Sequence, residues 1–168
     1  TTTDSPAFAY VANYYDNSVS SYVVDTTSGR LKWTGKVAAE TLPYSVTIDP
    51  SGQYAYVANR ESDNVSQYTI GSDGRLSAMS SPTVVTESLP SSVTIHPSGQ
   101  YAYVANSVSN TISQYTIAAD GSLSAMATPT VATGSWPNAI TIDASGNYAY
   151  AVNSSDNNVS QYTVGADG

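Results

Sequence analysis

Ser51-Gly52-Gln53-Tyr54-Ala55-Tyr56-Val57-Ala58-Asn59 recurs without change at residues 98–106 and in a looser form at residues 145–153. A shorter copy, without the leading turn, occupies residues 8–13. The first aromatic position of the stretch therefore falls at Phe8, Tyr54, Tyr101 and Tyr148, at intervals of 46, 47 and 47 residues. A fixed period in the range of about 20 to 50 residues indicates a repeat architecture, in which each unit buries its faces against its neighbours.

The first half of one repeat predicts two strands joined by a tight turn. Residues 45–48 alternate polar and apolar side chains, which is the period of a strand. Residues 49–52, Asp-Pro-Ser-Gly, have the composition of a type I turn. The strand that follows carries Tyr54 and Tyr56 on one face and alanine and valine on the other. We expect both faces to be buried, with the rings of one unit over the small side chains of the next.

The second half of the repeat predicts two further strands, at residues 65–70 and 75–86, separated by the hairpin signal Ser72-Asp73-Gly74. Pro82 interrupts the last of these strands, and Pro129 stands at the equivalent place in the next repeat. A proline removes one backbone donor, so this strand is expected at an outer edge of its sheet.

Four short antiparallel strands in 47 residues are typical of a β-propeller blade. With strands labelled a to d from the central channel outward, the chain is predicted to run b-c-d, a-b-c-d, a-b-c-d, a-b-c. The prediction is thus an all-β chain, a β-propeller arc of about three and a half four-stranded antiparallel blades. A single repeat region, 1–168, would divide into a partial blade 1, blades 2 and 3 and a partial blade 4, with bounds at 7–42, 43–89, 90–136 and 137–168.

Such an arc leaves the tyrosine-rich faces of its first and last blades exposed. Two outcomes follow. The chain is either half of a seven-bladed ring within a longer polypeptide, the favoured interpretation, or a subunit that associates with copies of itself as an oligomer or filament. Its partner is expected to be the rest of a longer propeller or itself. A start at Thr1 rather than at methionine fits a processed secreted protein or part of a longer chain.

Composition excludes several classes of function. The net charge is −8, and the five lysines and arginines form no basic stripe, which argues against nucleic acid and anionic lipid as partners. Cysteine is absent, so disulfides, thiolate catalysis and zinc–cysteine sites are excluded. No apolar run approaches the roughly 20 residues of a membrane helix. The hydroxyl-rich, lysine-poor composition predicts an extracellular or cell-surface location.

Five side chains are candidates for contact with a ligand or partner. Tyr14, Tyr15, Tyr44 and Trp136 lie in predicted loops and break the repeat pattern, and Arg60 belongs to the polar loop after strand b of blade 2. Exposed aromatic residues in variable loops are suited to binding. Packing of the loops against one another is the alternative, and it is slightly favoured. The tyrosines that recur in every repeat are expected in the core instead.

The remaining polar residues are expected to form turns rather than to carry chemistry. His96, the one histidine, stands where other repeats have aspartate in the first position of the a–b turn. The Asp and Asn residues of the b–c loops, at 16–17, 63–64 and 156–158, resemble calcium ligands only in composition. We therefore predict no catalytic residue, no metal site and no cofactor.

The stretch Tyr-Val-Ala-Asn, at residues 10–13, 56–59 and 103–106, resembles the YVTN-type repeat of the lactonase family of seven-bladed propellers, typified by 6-phosphogluconolactonase. That family includes lactone hydrolases and also many secreted or surface-layer propellers without known activity. Lactonase-like members carry a Pro-Arg-His triplet just before strand a, on the face that holds their active site. The corresponding triplets here are Pro43-Tyr44-Ser45, Pro90-Ser91-Ser92 and Pro137-Asn138-Ala139, which lack the arginine and the histidine.

Near-identical repeats offer little of the asymmetry that a catalytic site needs. The function favoured by the sequence is therefore a non-catalytic extracellular propeller module, acting in binding or self-assembly through its blade faces and loops. The alternative is a lactonase-like hydrolase whose active site lies in blades beyond this chain. That alternative rests on the family resemblance alone.

Overall fold

The computed structural model describes residues 7–168 and, within them, fourteen β-strands and one 3₁₀ helix. The helix, η1, spans Tyr14–Asp16. The strands are β1 Ala7–Asn13, β2 Ser18–Val24, β3 Leu31–Ala38, β4 Pro43–Ile48, β5 Tyr54–Asn59, β6 Asn64–Ile70, β7 Leu76–Val85, β8 Pro90–Ile95, β9 Tyr101–Asn106, β10 Thr111–Ile117, β11 Leu123–Ala132, β12 Pro137–Ile142, β13 Tyr148–Asn153 and β14 Asn158–Thr163.

The strands form four antiparallel sheets in chain order, which we call blades 1 to 4. Blade 1 is β1-β2-β3, blade 2 is β4-β5-β6-β7, blade 3 is β8-β9-β10-β11 and blade 4 is β12-β13-β14. Each sheet is a meander in which sequential strands pair. This order confirms the predicted all-β class and the predicted run of b-c-d, two full blades and a-b-c.

Strand d lies at the edge of its sheet, as its proline predicts. In blade 2 it spans Leu76–Val85, one residue shorter at each end than predicted. The register with strand c shifts between Ser66 and Tyr68, so Pro82 falls in a bulge where no ladder bond is required. Gln67, opposite the bulge, donates its side-chain amide to the Ser81 carbonyl at 2.9 Å.

The a–b turns are closed by their first residue. In blade 2 the Gly52 N–H donates to the Asp49 carbonyl at 3.0 Å, and the Asp49 carboxylate accepts the Tyr54 N–H at 2.8 Å. His96 performs the same role in blade 3, where its Nδ1 accepts the Ser98 N–H at 3.0 Å. Because Nδ1 is an acceptor, Nε2 carries the proton and donates to the Gly146 carbonyl at 2.9 Å. The prediction that His96 caps a turn is confirmed, and it also joins blade 3 to blade 4.

The core lies between the blades, not within any one of them. Ala55 and Val57 of strand b pack against blade 1, whereas Tyr56 and Ala58 of the same strand pack against blade 3. All four side chains are fully buried. Burial of each large apolar side chain contributes about 1.5–3 kcal/mol, so most of the stability depends on the neighbouring blades. The predicted burial of both faces of strand b is confirmed.

Each blade boundary carries a contact that we call the glycine lock. The first aromatic residue of strand b lies over the glycine of the c–d hairpin in the next blade, so closely that a Cβ on that glycine would overlap the ring. The pairs are Phe8 with Gly74, Tyr54 with Gly121 and Tyr101 with Gly168. In the first two locks, the second tyrosine of strand b donates its hydroxyl to the carbonyl of the same glycine: Tyr10 to Gly74 at 2.9 Å, and Tyr56 to Gly121 at 2.6 Å.

A second set of hydrogen bonds runs in the opposite direction, from strand c back to strand d of the preceding blade. The tyrosine hydroxyl of strand c donates to a carbonyl near the end of that strand d. These bonds are Tyr68 to Ala38 at 2.8 Å, Tyr115 to Val85 at 2.6 Å and Tyr162 to Ala132 at 2.9 Å. Each boundary is therefore tied from both sides.

No helix within residues 7–168 is both long enough and apolar enough to cross a membrane.

Candidate functional site

One edge of the blades gathers the loops that break the repeat. Strand a begins where strand b ends, because the two are antiparallel and Pro43 pairs with Asn59. The b–c loops and the residues that precede strand a therefore meet at the same edge, which we call the upper edge. In a propeller, strand a lines the central channel, so residues at its start lie at the channel mouth.

The upper edge is held by hydrogen bonds between residues of left-handed conformation. Each b–c loop of blades 1 to 3 has an Asn or Asp at positive φ. The side-chain oxygen of that residue accepts the backbone N–H of the residue just before strand a of the next blade, and that second residue also has a positive φ. Asn and Asp tolerate this conformation, but leucine and tryptophan rarely adopt it. The pairs are Asn17 with Leu42 at 2.9 Å, Asp63 with Leu89 at 2.8 Å and Asn110 with Trp136 at 2.8 Å.

This clamp was missed by the sequence analysis, although a signal for it exists. Its acceptors recur at 17, 63 and 110 with the period of the repeat, and its donors stand immediately before Pro43, Pro90 and Pro137. Two of these acceptors, Asn17 and Asp63, belong to the loops that were compared with calcium sites. Within residues 7–168, no three His, Asp or Glu side chains gather as a metal site would require.

The five side chains predicted to contact a ligand all lie together at this edge, and we call them the mouth cluster. The Tyr14 ring meets that of Tyr15 edge-on at 4.9 Å between centroids and that of Tyr44 at 5.9 Å. The Arg60 guanidinium carbon lies 5.0 Å from the centroid of the Tyr44 ring and 5.9 Å from that of Trp136. Blades 1 and 2 supply four members. The fifth, Trp136, lies between strand d of blade 3 and strand a of blade 4, where Asn110 holds its backbone.

The mouth cluster is accessible and its cation is not neutralised. Tyr15 is 91% exposed, Tyr44 49% and Trp136 40%. Arg60 is half-buried, and its Nη1 is buried without a hydrogen-bond partner. In the described part of the chain the two salt bridges, Lys36–Asp16 and Arg75–Asp73, do not involve it. A half-buried guanidinium that is in no salt bridge and lies beside aromatic rings can bind an oxygen of a ligand whose ring stacks on tyrosine or tryptophan.

Asp16 directly follows Tyr15 of the mouth cluster in the sequence. Its carboxylate accepts hydrogen bonds from Lys36 at 2.8 Å and from Ser18 at 2.6 Å. The hydrogen bond from Lys36 is the largest cause that lowers the pKa of Asp16 below its ordinary value. The carboxylate therefore stays ionised, and its oxygens are bonded to Lys36 and Ser18. It is suited to holding the loop in place rather than to transferring a proton.

The sequence is matched twice, over residues 2–89 and 73–168, by the family description "Lactonase, 7-bladed beta-propeller". The chain belongs to this lactonase family. The two matches together extend over nearly the whole of it, and they confirm the resemblance inferred from the YVTN-type repeats. Among proteins with curated descriptions, none matches this lactonase-family chain in sequence.

Solved structures similar to this lactonase-family chain share its fold at low sequence identity. A Bacteroides uniformis protein provisionally assigned as a 6-phosphogluconolactonase has a TM-score of 0.85 at 19% identity, over 95% of this chain and 48% of its own. A Bacteroides fragilis protein with the same provisional assignment has a TM-score of 0.77 at 15% identity, over 95% and 51%. The periplasmic gluconolactonase of Pseudomonas aeruginosa has a TM-score of 0.71 at 24% identity, over 90% and 48%.

This lactonase-family chain spans about half the length of those structures. The expectation of a non-catalytic extracellular module is wrong, because the family match and the names of the similar proteins support the lactonase-like alternative. The expectation failed because repeats that look alike in their strands differ at the upper edge. There the residues of the mouth cluster break the repeat.

Proposed function

We propose that the propeller to which this chain contributes hydrolyses a sugar lactone, and that the mouth cluster contacts the substrate. The observation that carries the proposal is the half-buried Arg60 guanidinium, which is in neither salt bridge of the described residues and whose Cζ lies 5.0 Å from the centroid of the Tyr44 ring and 5.9 Å from that of Trp136. Membership of the lactonase family supports the choice of reaction.

The missing arginine of the family triplet has a counterpart in space. Tyr44 occupies the second position of the triplet Pro43-Tyr44-Ser45, where the resemblance expects arginine. Arg60, from the adjacent b–c loop, lies over the ring of Tyr44. A guanidinium is thus present at the upper edge, although it follows the end of strand b instead of standing at the start of strand a. Ser91 is the equivalent of Tyr44 in blade 3. It is buried, and its hydroxyl donates to the Ala105 and Pro137 carbonyls, so it contributes to packing between the blades.

Hydrolysis of a lactone requires attack of water on the ring carbonyl, followed by cleavage of the ring C–O bond. Negative charge develops on the carbonyl oxygen as the tetrahedral intermediate forms, and the ring oxygen leaves as a hydroxyl after it takes a proton. The Arg60 guanidinium, which is in neither of the two salt bridges, is suited to donate to that carbonyl oxygen, and this lowers the barrier most when the donor is already in place. The exposed parts of the Tyr44 and Trp136 rings would contact the sugar ring.

The proposal is tested by following acid release in a pH-stat, with glucono-δ-lactone and its 6-phosphate as substrates and with spontaneous hydrolysis subtracted. We expect Arg60→Gln to lower kcat/KM by about 100- to 1,000-fold, the range for loss of a preorganised donor of this type. Arg75→Gln is the matched control, because Arg75 is an exposed arginine paired with Asp73. Absence of turnover by the unmodified protein, or an equal effect of both substitutions, would contradict the proposal.

An extracellular or cell-surface location remains our proposal for the setting of this activity. It is supported by the lysine-poor, hydroxyl-rich composition and the net charge of −8. Recovery of the protein only from the cytoplasmic fraction of its host would overturn it.

A further inference from the structure

Gln67 fills the outer part of the boundary between blades 2 and 3. Its side-chain amide donates to the Ser81 carbonyl in strand d of its own blade, and its side-chain oxygen accepts the Leu123 N–H of blade 3 at 2.7 Å. The Gln67 side chain is 1% exposed. A planar carboxamide thus satisfies the backbone donor at the first residue of strand d in the next blade.

The boundary between blades 1 and 2 lacks this side chain. Ser21 stands at the position of Gln67, since Ser20-Ser21-Tyr22 corresponds to Ser66-Gln67-Tyr68. Leu76 begins strand d of blade 2, as Leu123 does in blade 3. Among residues 7–168, the hydrogen bond from Leu123 to Gln67 has no counterpart at Leu76. The serine side chain is too short to take the place of glutamine.

A groove of about 410 Å³ occupies the space of the missing side chain, and we call it the rim groove. Ser21 and Gly35 of blade 1 line it together with Arg75 and Leu76 of blade 2. Gly35 pairs with Ser21 and leaves the space open, since a Cβ there would approach only the Arg75 Nε, at 3.9 Å. The rim groove lies between two consecutive blades, so it is present whatever precedes blade 1 or follows blade 4.

The rim groove carries a positive charge where the filled boundary is neutral. Arg75 stands at the position of Ser122, since each lies between the hairpin glycine and the first leucine of strand d. Its Nε lies 3.6 Å from an Asp73 carboxylate oxygen, in a pair whose side chains are 67% and 63% exposed. Such a pair is weak and does not occupy the terminal nitrogens of the guanidinium. Lys36 also lines the groove, but its ammonium is bonded to Asp16 at 2.8 Å.

We propose that the rim groove binds the carboxylate group of a small ligand. One carboxylate oxygen accepts the Leu76 N–H, as the Gln67 oxygen accepts that of Leu123, and the other accepts a hydrogen bond from the Arg75 guanidinium. A carboxylate has the planar shape of the carboxamide in the next boundary, and its charge is complementary to arginine. The groove volume lies within the range of about 300–1,000 Å³ that is usual for small-molecule sites.

The first test follows the backbone amide of Leu76 by ¹H–¹⁵N NMR while sodium propionate is added at constant ionic strength. We expect the Leu76 proton resonance to move downfield and to saturate in the millimolar range, while Leu123, already bonded to Gln67, stays unchanged. Propionamide has the same shape without the charge, so it should bind about tenfold more weakly. An unmoved Leu76 resonance, or equal binding of the two probes, would overturn the proposal.

Ser21→Gln should close the rim groove. Glutamine occupies the equivalent place in blades 2 and 3, as Gln67 and Gln114, so the variant is expected to fold. We expect it to abolish propionate binding and to move the Leu76 resonance downfield without any ligand, because the new side-chain oxygen accepts that N–H. Ser21→Ala keeps the space open and should bind propionate as the unmodified chain does. Binding that survives Ser21→Gln would show that the carboxylate lies elsewhere.

Arg75→Gln tests the role of the charge. It should weaken propionate binding by about tenfold or more, as expected for loss of a charge-assisted hydrogen bond. Arg30→Gln is the matched control, because Arg30 stands at the same position one blade earlier and does not line the rim groove. It should leave the affinity unchanged, with circular dichroism confirming that both variants fold. Equal effects of the two substitutions would mean that overall charge, and not the groove, attracts propionate.

Discussion

The Tyr56 hydroxyl donates a 2.6 Å hydrogen bond to the Gly121 carbonyl, 65 residues along the chain and in the next blade. Tyr56 is fully buried, so this bond is shielded from water. Tyr103 occupies the same position one repeat later and is nearly as buried, but its hydroxyl has no partner among the described residues. Two chemically identical side chains therefore contribute differently to stability.

We expect Tyr56→Phe to lower the free energy of unfolding by about 1–2 kcal/mol, because it leaves the Gly121 carbonyl buried and unpaired. Tyr103→Phe removes a hydroxyl that makes no bond, so it should be neutral or slightly stabilising. Urea unfolding of both variants measures the difference. Equal losses would show that the ring, not the hydroxyl, determines the stability at this position.

Stability should fall as the pH rises above about 10. Burial raises the pKa of Tyr103 and Tyr115 to about 12. The unfolded chain releases these protons near pH 10 while the folded chain retains them, so the stabilisation is complete below pH 10 and is lost as the pH rises towards 12. The urea midpoint should therefore decrease from pH 9 to pH 11. Tyr115→Phe should make that decrease shallower, and an unchanged slope would contradict the assignment.

Ala39→Thr should stabilise the boundary between blades 1 and 2. In blade 4 the Asn153 side-chain oxygen accepts the Thr133 hydroxyl at 3.0 Å. The equivalent oxygen of Asn59 is fully buried without a partner, and Ala39 stands where a threonine in the rotamer of Thr133 would supply the hydroxyl. In blade 3 the equivalent Thr86 instead donates to the Glu87 carbonyl at 2.8 Å and leaves the Asn106 oxygen unpaired, so the gain requires the Thr133 rotamer. The expected gain is about 1 kcal/mol in urea unfolding.

Ala39→Val is the control for that substitution, since valine has the shape of threonine without its hydroxyl. It should give no comparable gain. If valine stabilises as much as threonine does, apolar packing at position 39 is responsible and the unpaired oxygen of Asn59 is not.

The clamp at the upper edge predicts unequal effects of two asparagine-to-glycine substitutions. Asn110 and Asn157 both have φ between 53° and 55°, a conformation that glycine adopts readily. Asn110 accepts the Trp136 N–H, whereas for Asn157 the described chain has no following blade. Asn110→Gly should cost about 1 kcal/mol and increase the mobility of the Trp136 ring, as read by fluorescence anisotropy. Asn157→Gly should be neutral, and similar anisotropy in both would argue against the clamp.

The period of the sequence was sufficient to predict the strands, the order of the sheets and the burial of both faces of strand b. These features depend on local alternation and on a repeat that every blade obeys. Pro82 was the only sequence signal for the strand d bulge opposite Gln67. A proline indicates an edge strand, but it does not determine how many residues bulge.

The mouth cluster was predicted residue by residue but not as an assembly. Tyr44 and Trp136 were singled out because they break the repeat, yet the distance from Arg60 to Trp136 depends on how the connection between blades 3 and 4 is placed relative to blade 2. That placement depends on the rotations at the successive blade boundaries, which no local sequence pattern specifies. The left-handed conformation of Trp136 could not be predicted from the sequence either, because a residue before a proline usually has an extended backbone.

The closeness of Phe8 to Gly74 and of Tyr54 to Gly121 restricts how such a chain can diverge. Positions 74 and 121 admit no amino acid with a side chain unless the opposing ring shrinks at the same time, so paired mutations would be needed to alter them. At the opposite edge the clamp fixes the backbone, but exposed loop side chains such as Tyr15 and Tyr44 are not held against an opposing ring in this way. Sequence variation is therefore better tolerated at the channel mouth, where new binding specificities can arise while the stacking of the blades stays the same.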